Sequence, residues 1–321
     1  MRLNDAHMLN DQEAMGFLVS QTAYIESQVY EIQYPDIQYP NIIPVDTSAP
    51  EWINAITFFS VDKVGEADWF SHLAKDVPIA DVFRAKHDET VEMAAIGYRY
   101  TLQELGVAAR LGISLTPDRA AAARRAYEEF VDRFALVGDT RKNKTGIVNN
   151  PLVTVIDVPN GASGQADWST KTADEIAADV NTILTGIYTE SLTVEIADTL
   201  LLPIEMMLYI SNKRMGPDTS MTLLTWLTQN NAYTAVTGRP LTIRGLRGLE
   251  DAGSGGSGRM IAYRRSPEVL KMHIPMPHQF LEVWRTGPLV YDVPGIFRLG
   301  GVEIRRPKAV RYADDIMNSS T

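Results

Sequence analysis

Residues 116–137 carry the pattern that most narrows the fold. Thr116 is a good N-cap, Pro117 suits a first helical turn and Asp118 complements the helix dipole. Ala120, Ala123, Tyr127, Phe130, Phe134 and Val137 then recur at three- and four-residue spacing. Arg124, Arg125, Glu128, Glu129, Asp132 and Arg133 fill the other side. This predicts an amphipathic helix of about six turns, stopped at Gly138, with one face packed and one wet or meeting a partner.

The chain on either side reads differently. Residues 11–30 are weakly helical. Ile32-Gln33-Tyr34-Pro35 then recurs as Ile37-Gln38-Tyr39-Pro40, and Ile43-Pro44 follows. Each proline lacks a backbone donor and pushes its predecessor to extended geometry. A compact helix or central strand is therefore not expected over 32–50; an extended arm or linker is, with Tyr and Ile side chains free for another surface. Residues 52–62 and 89–101 read as strands by β-branched and aromatic content. A hairpin connection is normally only ~2–5 residues, so the mixed segment between them predicts a protruding β-arm with a binding role.

After Gly138 the alternation changes. A strand is predicted over 152–158, and Thr172 with Glu175 forms a capping box opening a helix. Leu200–Leu202 reads as a buried strand, Pro203 opens a short helix, and a further helix covers about 219–231. Residues 150–250 thus read as an α/β or α+β block, and the chain turns strand-rich after Gly258.

Candidate chemistry is sparse. There are no cysteines, which removes disulfides, thiolate metal sites and cysteine nucleophiles. Gly253–Gly258 matches G-x-G-x-x-G, but a strand follows it where a dinucleotide site needs a helix; a flexible Gly/Ser loop is the expectation. Residues 138–145 resemble a phosphate loop but carry Asn143 in place of the second glycine and follow a helix, so Lys142 and Lys144 read as a solvated loop. None of His7, His72, His87, His273 and His278 has metal-ligand spacing, so they read as surface or packed histidines. Glu128-Glu129, Glu250-Asp251 and Asp314-Asp315 diverge as neighbours and make no ready acid/base pair. Arg264-Arg265, Arg305-Arg306, Lys308 and Arg311 are basic. A net charge of -10 (30 Lys+Arg against 40 Asp+Glu) disfavours phosphate backbones and anionic lipid, so carboxylate pairing between subunits or a solvated face is expected instead. No signal peptide or membrane span is expected.

The order of parts resembles the HK97-fold shell proteins: tailed-phage major capsid proteins without a large fused scaffolding domain, and the related encapsulins. Val29-Tyr30-Glu31 through Tyr39-Pro40, with Ile43-Pro44-Val45, resembles the family's N-terminal arm. Ser60-Val61-Asp62, Gly65, Ala67 and Asp76-Val77-Pro78 resemble its E-loop. Tyr98–Leu105, Ala120–Arg125, Gly138, Gly146-Ile147 and Asn149 are similar to the spine helix and its flanks. Asn230-Asn231, Tyr233-Thr234-Ala235 and Gly238-Arg239-Pro240-Leu241 resemble an A-domain stretch. Arg298, Gly300–Glu303 and Arg311-Tyr312 resemble the closing P-domain strands.

The resemblance implies an α+β, HK97-like capsid fold. Its parts would be an N-terminal arm (1–50), the E-loop and flanking strands (51–100), a P-domain segment with the spine helix (101–150), an A-domain (151–258) and closing strands returning to the P-domain (259–321). It implies self-assembly into hexamers and pentamers of an icosahedral shell around double-stranded DNA held without sequence-specific contacts. The implied setting is the virion capsid, assembled in the host bacterial cytoplasm. Scaffold, portal and decoration proteins are the further partners it allows; no cofactor, metal, membrane or catalytic site is implied. Tyr34, Tyr39, Asp62, Lys63, Glu66, Trp69, Arg124, Arg305 and Arg306 are the candidate assembly residues. Some family members lock their shells with a Lys–Asn isopeptide bond, but no motif here identifies an acceptor for Lys63. The competing readings are an encapsulin-type compartment and an enzyme built on the central α/β block.

Overall fold

A computed structural model describes residues 36–64, 80–104 and 116–318 of the chain. The first described element corrects the reading of an extended arm. Tyr39–Ile42 forms one helical turn (α1) with Pro40 in its first turn, where the missing N–H has no helical partner to lose. The backbone N–H groups of Gln38 and Tyr39 both donate to Asp132 Oδ1, at 2.9 and 2.8 Å, and the Tyr39 hydroxyl donates to Glu128 Oε2 at 3.1 Å. Tyr39, Ile42 and Ile43 are buried in the core of their own chain. The proline restriction on local geometry holds; the side chains it left free are taken by the helix that follows. Val45–Asp46 (β1) then runs parallel to residues 272–273.

Ala55–Val64 (β2) and Asp81–Thr90 (β3) pair in an unbroken antiparallel ribbon of ten register pairs. The second arm of the ribbon therefore lies earlier than the 89–101 expected. That stretch instead gives Glu92–Ala95 (β4) and Tyr98–Thr101 (β5), which pair with later strands. Gly97 separates them: a Cβ there would lie 2.3 Å from the Val293 carbonyl oxygen. Residues 81–90 escape a strand reading because the ribbon has no buried face, so nothing imposes apolar alternation on them.

The long helix is present as Thr116–Leu136 (α2), and Gly138 beyond it has φ of +80°. Ala123, Tyr127, Val131, Phe134 and Ala135 are buried, while Val137 is exposed. Gly138–Asp139 (β6) and Lys144–Thr145 (β7) make a small hairpin. Lys142 is exposed and paired to Glu92, as a solvated lysine should be. Lys144 is not: its side chain is buried, with Nζ donating to Glu89 and to the Thr90 carbonyl. The loop geometry was legible; the ribbon root that covers Lys144 was not.

Thr154–Asp157 (β8) leads to the helix Ala173–Glu190 (α3), which opens with the expected Thr172/Glu175 capping box. Thr199–Pro203 (β9) is wholly buried, and Ile204–Asn212 (α4) follows Pro203. The helix expected over 219–231 is the shorter Leu223–Gln229 (α5), and a separate one, Ala232–Thr237 (α6), starts beyond it, where the Asn231 side chain accepts from Thr234 N–H. Thr242–Leu246 (β10) comes next. The strand-rich remainder is Met260–Tyr263 (β11), Leu270–His273 (β12), Met276–Phe280 (β13), Trp284–Gly287 (β14), Val290–Val293 (β15), Gly295–Leu299 (β16), Gly301–Ile304 (β17) and Val310–Asp314 (β18).

These strands build one central sheet, in the order β10-β9-β11-β18-β8, and three small ones, β1-β12-β17, β13-β16-β4 and β14-β15-β5. The central sheet draws strands from both sides of residue 258. Alternate residues on its strands point to two separate cores. Leu201, Ile261, Tyr263, Val310 and Tyr312 face a core with α2, whereas Leu200, Leu202, Met260, Ala262 and Ala313 face one with α3–α6. Leu201→Ala removes a fully buried side chain from a sheet that cannot collapse on either face. It should lower the unfolding free energy by about 2–5 kcal/mol, read from urea denaturation. Phe130 is only partly buried, stacked on Phe134 and edge-on to Phe297, so Phe130→Ala should cost less than Leu201→Ala in the same assay.

Candidate assembly interface

The β2–β3 ribbon leaves the body at a polar root. Val91 N–H donates to the Asn54 carbonyl, and the Arg298 guanidinium donates to the Glu51 carbonyl and to Asn54 Oδ1, at 3.0 and 3.1 Å. Arg305 sits 5.0 Å over the Phe58 ring, and His87, the cross-strand partner of Phe58, stacks on that ring with centroids 4.7 Å apart. A cleft of about 540 Å³ remains between root and body, lined by Phe58, Lys86, Lys144, Leu152, Glu303 and Arg305 among others. Its walls mix both signs of charge, and most of those charges are already paired.

Beyond the root the ribbon carries large apolar side chains in solvent: Phe59 (63% exposed), Val61, Val82 and Phe83 (58% exposed). A second exposed apolar group, Val283, Trp284 and Leu289, lies on and beside the β14–β15 hairpin. Trp284 opposes Asp292, whose carboxylate accepts from Arg99 at 2.6 and 2.9 Å and is held down to about 2 by that pairing. An isolated two-stranded ribbon is marginal in water, so apolar residues on one point to a covering surface.

The candidate residues fall into three groups. Tyr34, Glu66 and Trp69 lie outside the described residues. Asp62 and Lys63 are in β2, opposite Phe83 and Val82. The remaining four are in the body. Arg124 is exposed on α2. Tyr39 is covered by its own chain, with burial and then Glu128 pushing its hydroxyl pKa up. This corrects the expectation of a free tyrosine: α2 is already its surface. Arg305 holds Glu303 and packs over Phe58, and Arg306 pairs with Glu195 and lies 4.0 Å from Glu268, so the carboxylate partners of both are in the same chain. The candidate residues do not include the exposed apolar side chains Phe59, Val61, Val82, Phe83 and Trp284, of which the sequence reading placed only Val61, in the E-loop resemblance. Phe58-Phe59 within a β-branched run was the available signal for the first two.

Other singled-out features are structural. The Gly253–Gly258 loop is held in place: Ser254 N–H donates to Asp314 Oδ2, and Asp314 accepts from Arg259 at 2.6 and 2.8 Å. His273 is buried with Nε2 2.7 Å from Glu303, and His278 is buried against the Ile96 carbonyl. Among the described residues no group of three or more His, Cys, Asp or Glu could hold a metal, and no helix is long and apolar enough to cross a membrane.

Glu195 is the buried carboxylate that ties α3's end to the later chain. Burial raises its pKa, but Arg264 and Arg306 outweigh that and hold it below the usual glutamate range. A group with a lowered folded pKa contributes stability above its unfolded value and loses it as pH falls through the folded one. Glu195→Gln should therefore lower stability at neutral pH by about 1–3 kcal/mol. The gap to wild type should close as pH drops below about 4, read from urea midpoints across pH.

A family model described as major capsid protein matches residues 65–316. Among solved structures, the capsid of Myoviridae phage XM1 aligns with a TM-score of 0.76 at 16% identity, covering 92% of this chain and 97% of that one. A structure from Mycobacterium phage Che8 aligns at 0.56 and 13% identity, covering 91% and 96%. A virus-like particle from Pyrococcus furiosus aligns at 0.52 and 13% identity, covering 86% and 91%. Comparison with curated proteins finds no match.

Proposed function

The chain belongs to the major capsid protein family, with an α+β, HK97-like fold, and on that premise we propose that its copies close an icosahedral shell as hexamers and pentamers. It is a shell protein of a tailed bacteriophage; the encapsulin-type compartment is not favoured, since the family model is that of the major capsid proteins. The observation that carries the assembly reading is the β2–β3 ribbon: ten residue pairs long, rooted by a few polar contacts, with phenylalanines and valines in water.

The ribbon corresponds to the E-loop and α2 to the spine helix. The domain limits at 50, 100, 150 and 258 divide the chain into arm, E-loop, P-domain, A-domain and closing strands. Of the candidate residues, Asp62 and Lys63 act on the ribbon, and Glu66 and Trp69 act in the sequence that follows β2. Tyr34 acts ahead of the segment that α2 holds, and Arg124, Arg305 and Arg306 act on the body. Neighbouring copies cover what one copy exposes. Each contact is individually weak, and ring closure makes the last ones effectively intramolecular. Double-stranded DNA fills the lumen without sequence-specific contacts, and an acidic shell releases it readily. Assembly takes place in the host cytoplasm, with scaffold, portal and decoration proteins as further partners. The chain turns over no substrate.

Expressed alone or with its neighbouring phage genes, the chain should give closed particles by electron microscopy. Deleting residues 63–75 should leave a subunit with wild-type circular dichroism that forms none. Normal particles from the deletion would remove the ribbon from assembly. A stable monomer with substrate turnover would replace the shell reading with an enzymatic one.

A further inference from the structure

At the edge of the central sheet, beside β10, lies a polar pocket of about 360 Å³. Register places it. Thr242 and Arg244 pair with Thr199 and Leu201 of β9, and Tyr263 of β11 pairs with Thr199. These residues therefore share the sheet face on which Leu201 and Tyr263 join the core with α2. α1 packs on that face, where the Tyr263 hydroxyl donates to the Ile42 carbonyl at 2.8 Å. Next to this contact Asn41, Asp198, Tyr233, Thr242, Arg244 and Arg265 line the pocket. Arg265 is fixed in place: its backbone N–H donates to Asp198 Oδ1 at 2.8 Å and its guanidinium to the Pro40 carbonyl at 2.9 Å. Arg244 has no hydrogen bond or ion pair among the described residues. The Tyr233 hydroxyl has none either, although Tyr233 is only 9% exposed. Asp198 Oδ1 also accepts from the Thr199 hydroxyl, which leaves Oδ2 without a partner among the described residues.

We infer that this pocket binds a small phosphorylated ligand, with the phosphate on Arg244 and Arg265 and a ligand hydroxyl on Asp198. Two guanidinium groups reach the pocket from separate parts of the sheet, one on β10 and one just after β11. Each presents a planar fork of N–H donors that matches a pair of phosphate oxygens. Arg265 is already held by its own chain, so little freedom is lost when it engages a ligand. Tyr233 and Thr242 add hydroxyl donors beside them. Asp198 narrows the ligand class. Its unpaired oxygen repels an anion with no proton to give, and accepts from a ligand that carries a hydroxyl near its phosphate. Sulfate and the phosphodiester backbone of DNA are disfavoured on that ground, and a phosphomonoester of a sugar is favoured. The volume agrees, since ligand pockets of ~300–1,000 Å³ hold whole small molecules and not a lone ion. In a chain of net charge -10, two arginines against one carboxylate make the pocket a local positive site. The pocket is built within one chain, so the inference is independent of the assembly reading.

The test is equilibrium titration of the full chain in phosphate-free buffer, with ribose 5-phosphate as the probe. Saturable binding is expected, at least about tenfold tighter than that of ribose or of sulfate. Arg244→Ala removes an exposed side chain with no partner among the described residues, so circular dichroism should be unchanged while affinity for ribose 5-phosphate falls at least about tenfold. Asp198→Asn keeps an acceptor for the Arg265 N–H but puts an amide donor in place of the second oxygen. It should narrow the gap between ribose 5-phosphate and sulfate. No saturable binding by the wild-type chain, equal binding of sulfate, or undiminished binding by Arg244→Ala overturns the inference. Binding of a short DNA duplex that depends on Arg244, with none of ribose 5-phosphate, assigns the arginines to a phosphodiester backbone and overturns it as well.

Discussion

A strand that is apolar on both faces has to be covered twice, and Leu200–Leu202 imposes that condition on the whole chain. All three leucines are fully buried, with Leu201 facing one core and its two neighbours the other. One cover is the block α3–α6, which follows the usual logic of helices packed on a sheet. The other is α2, brought in from the first half of the chain and held against the late strands by Tyr127, Val131 and Phe134. The two cores share one sheet, so neither can form without strands from residues 199, 260 and 310 onward being in register.

That sheet closes late. β18 sits between β11 and β8, and its Asp314 is fully buried. A buried carboxylate is costly unless paired and hydrogen-bonded. Arg259 supplies a two-pronged partner, the Ser254 N–H fills another acceptor position, and Arg259 in turn reaches the Val148 carbonyl. One ion pair thus joins the Gly/Ser loop, the last strand and the segment leaving α2. Tyr312, two residues before Asp314, does the same with the Ile147 carbonyl and the Asn150 N–H.

The body exposes apolar side chains too, Leu192 and Val194 among them, but its projections carry a group of their own. The ribbon and the β14–β15 hairpin carry exposed phenylalanine, valine and tryptophan that no described element covers. In a protein acting alone such patches are a liability; in a shell subunit they are where neighbours meet. Lys144, Arg305 and Arg306 are engaged with carboxylates of the same chain, and these pairs tie the body together from within.

The sequence alone determined elements whose cause is local. The α2 stripe, the Thr172/Glu175 box, the stop at Gly138 and the buried run at 200–202 all follow from periodicity, capping and backbone freedom. Those causes act over a few residues, and the ordered resemblance along the chain pointed to the same family that the later comparison found. Where the cause was long-range, only the tertiary structure could decide. Tyr39 was read as free because α2, which buries it, begins almost eighty residues later. Lys144 was read as solvated because Glu89 and Thr90 come from the ribbon root. β3 was missed because a strand with no buried face carries no apolar alternation. Its register, which sets the two faces of the ribbon, exists only once both strands are paired.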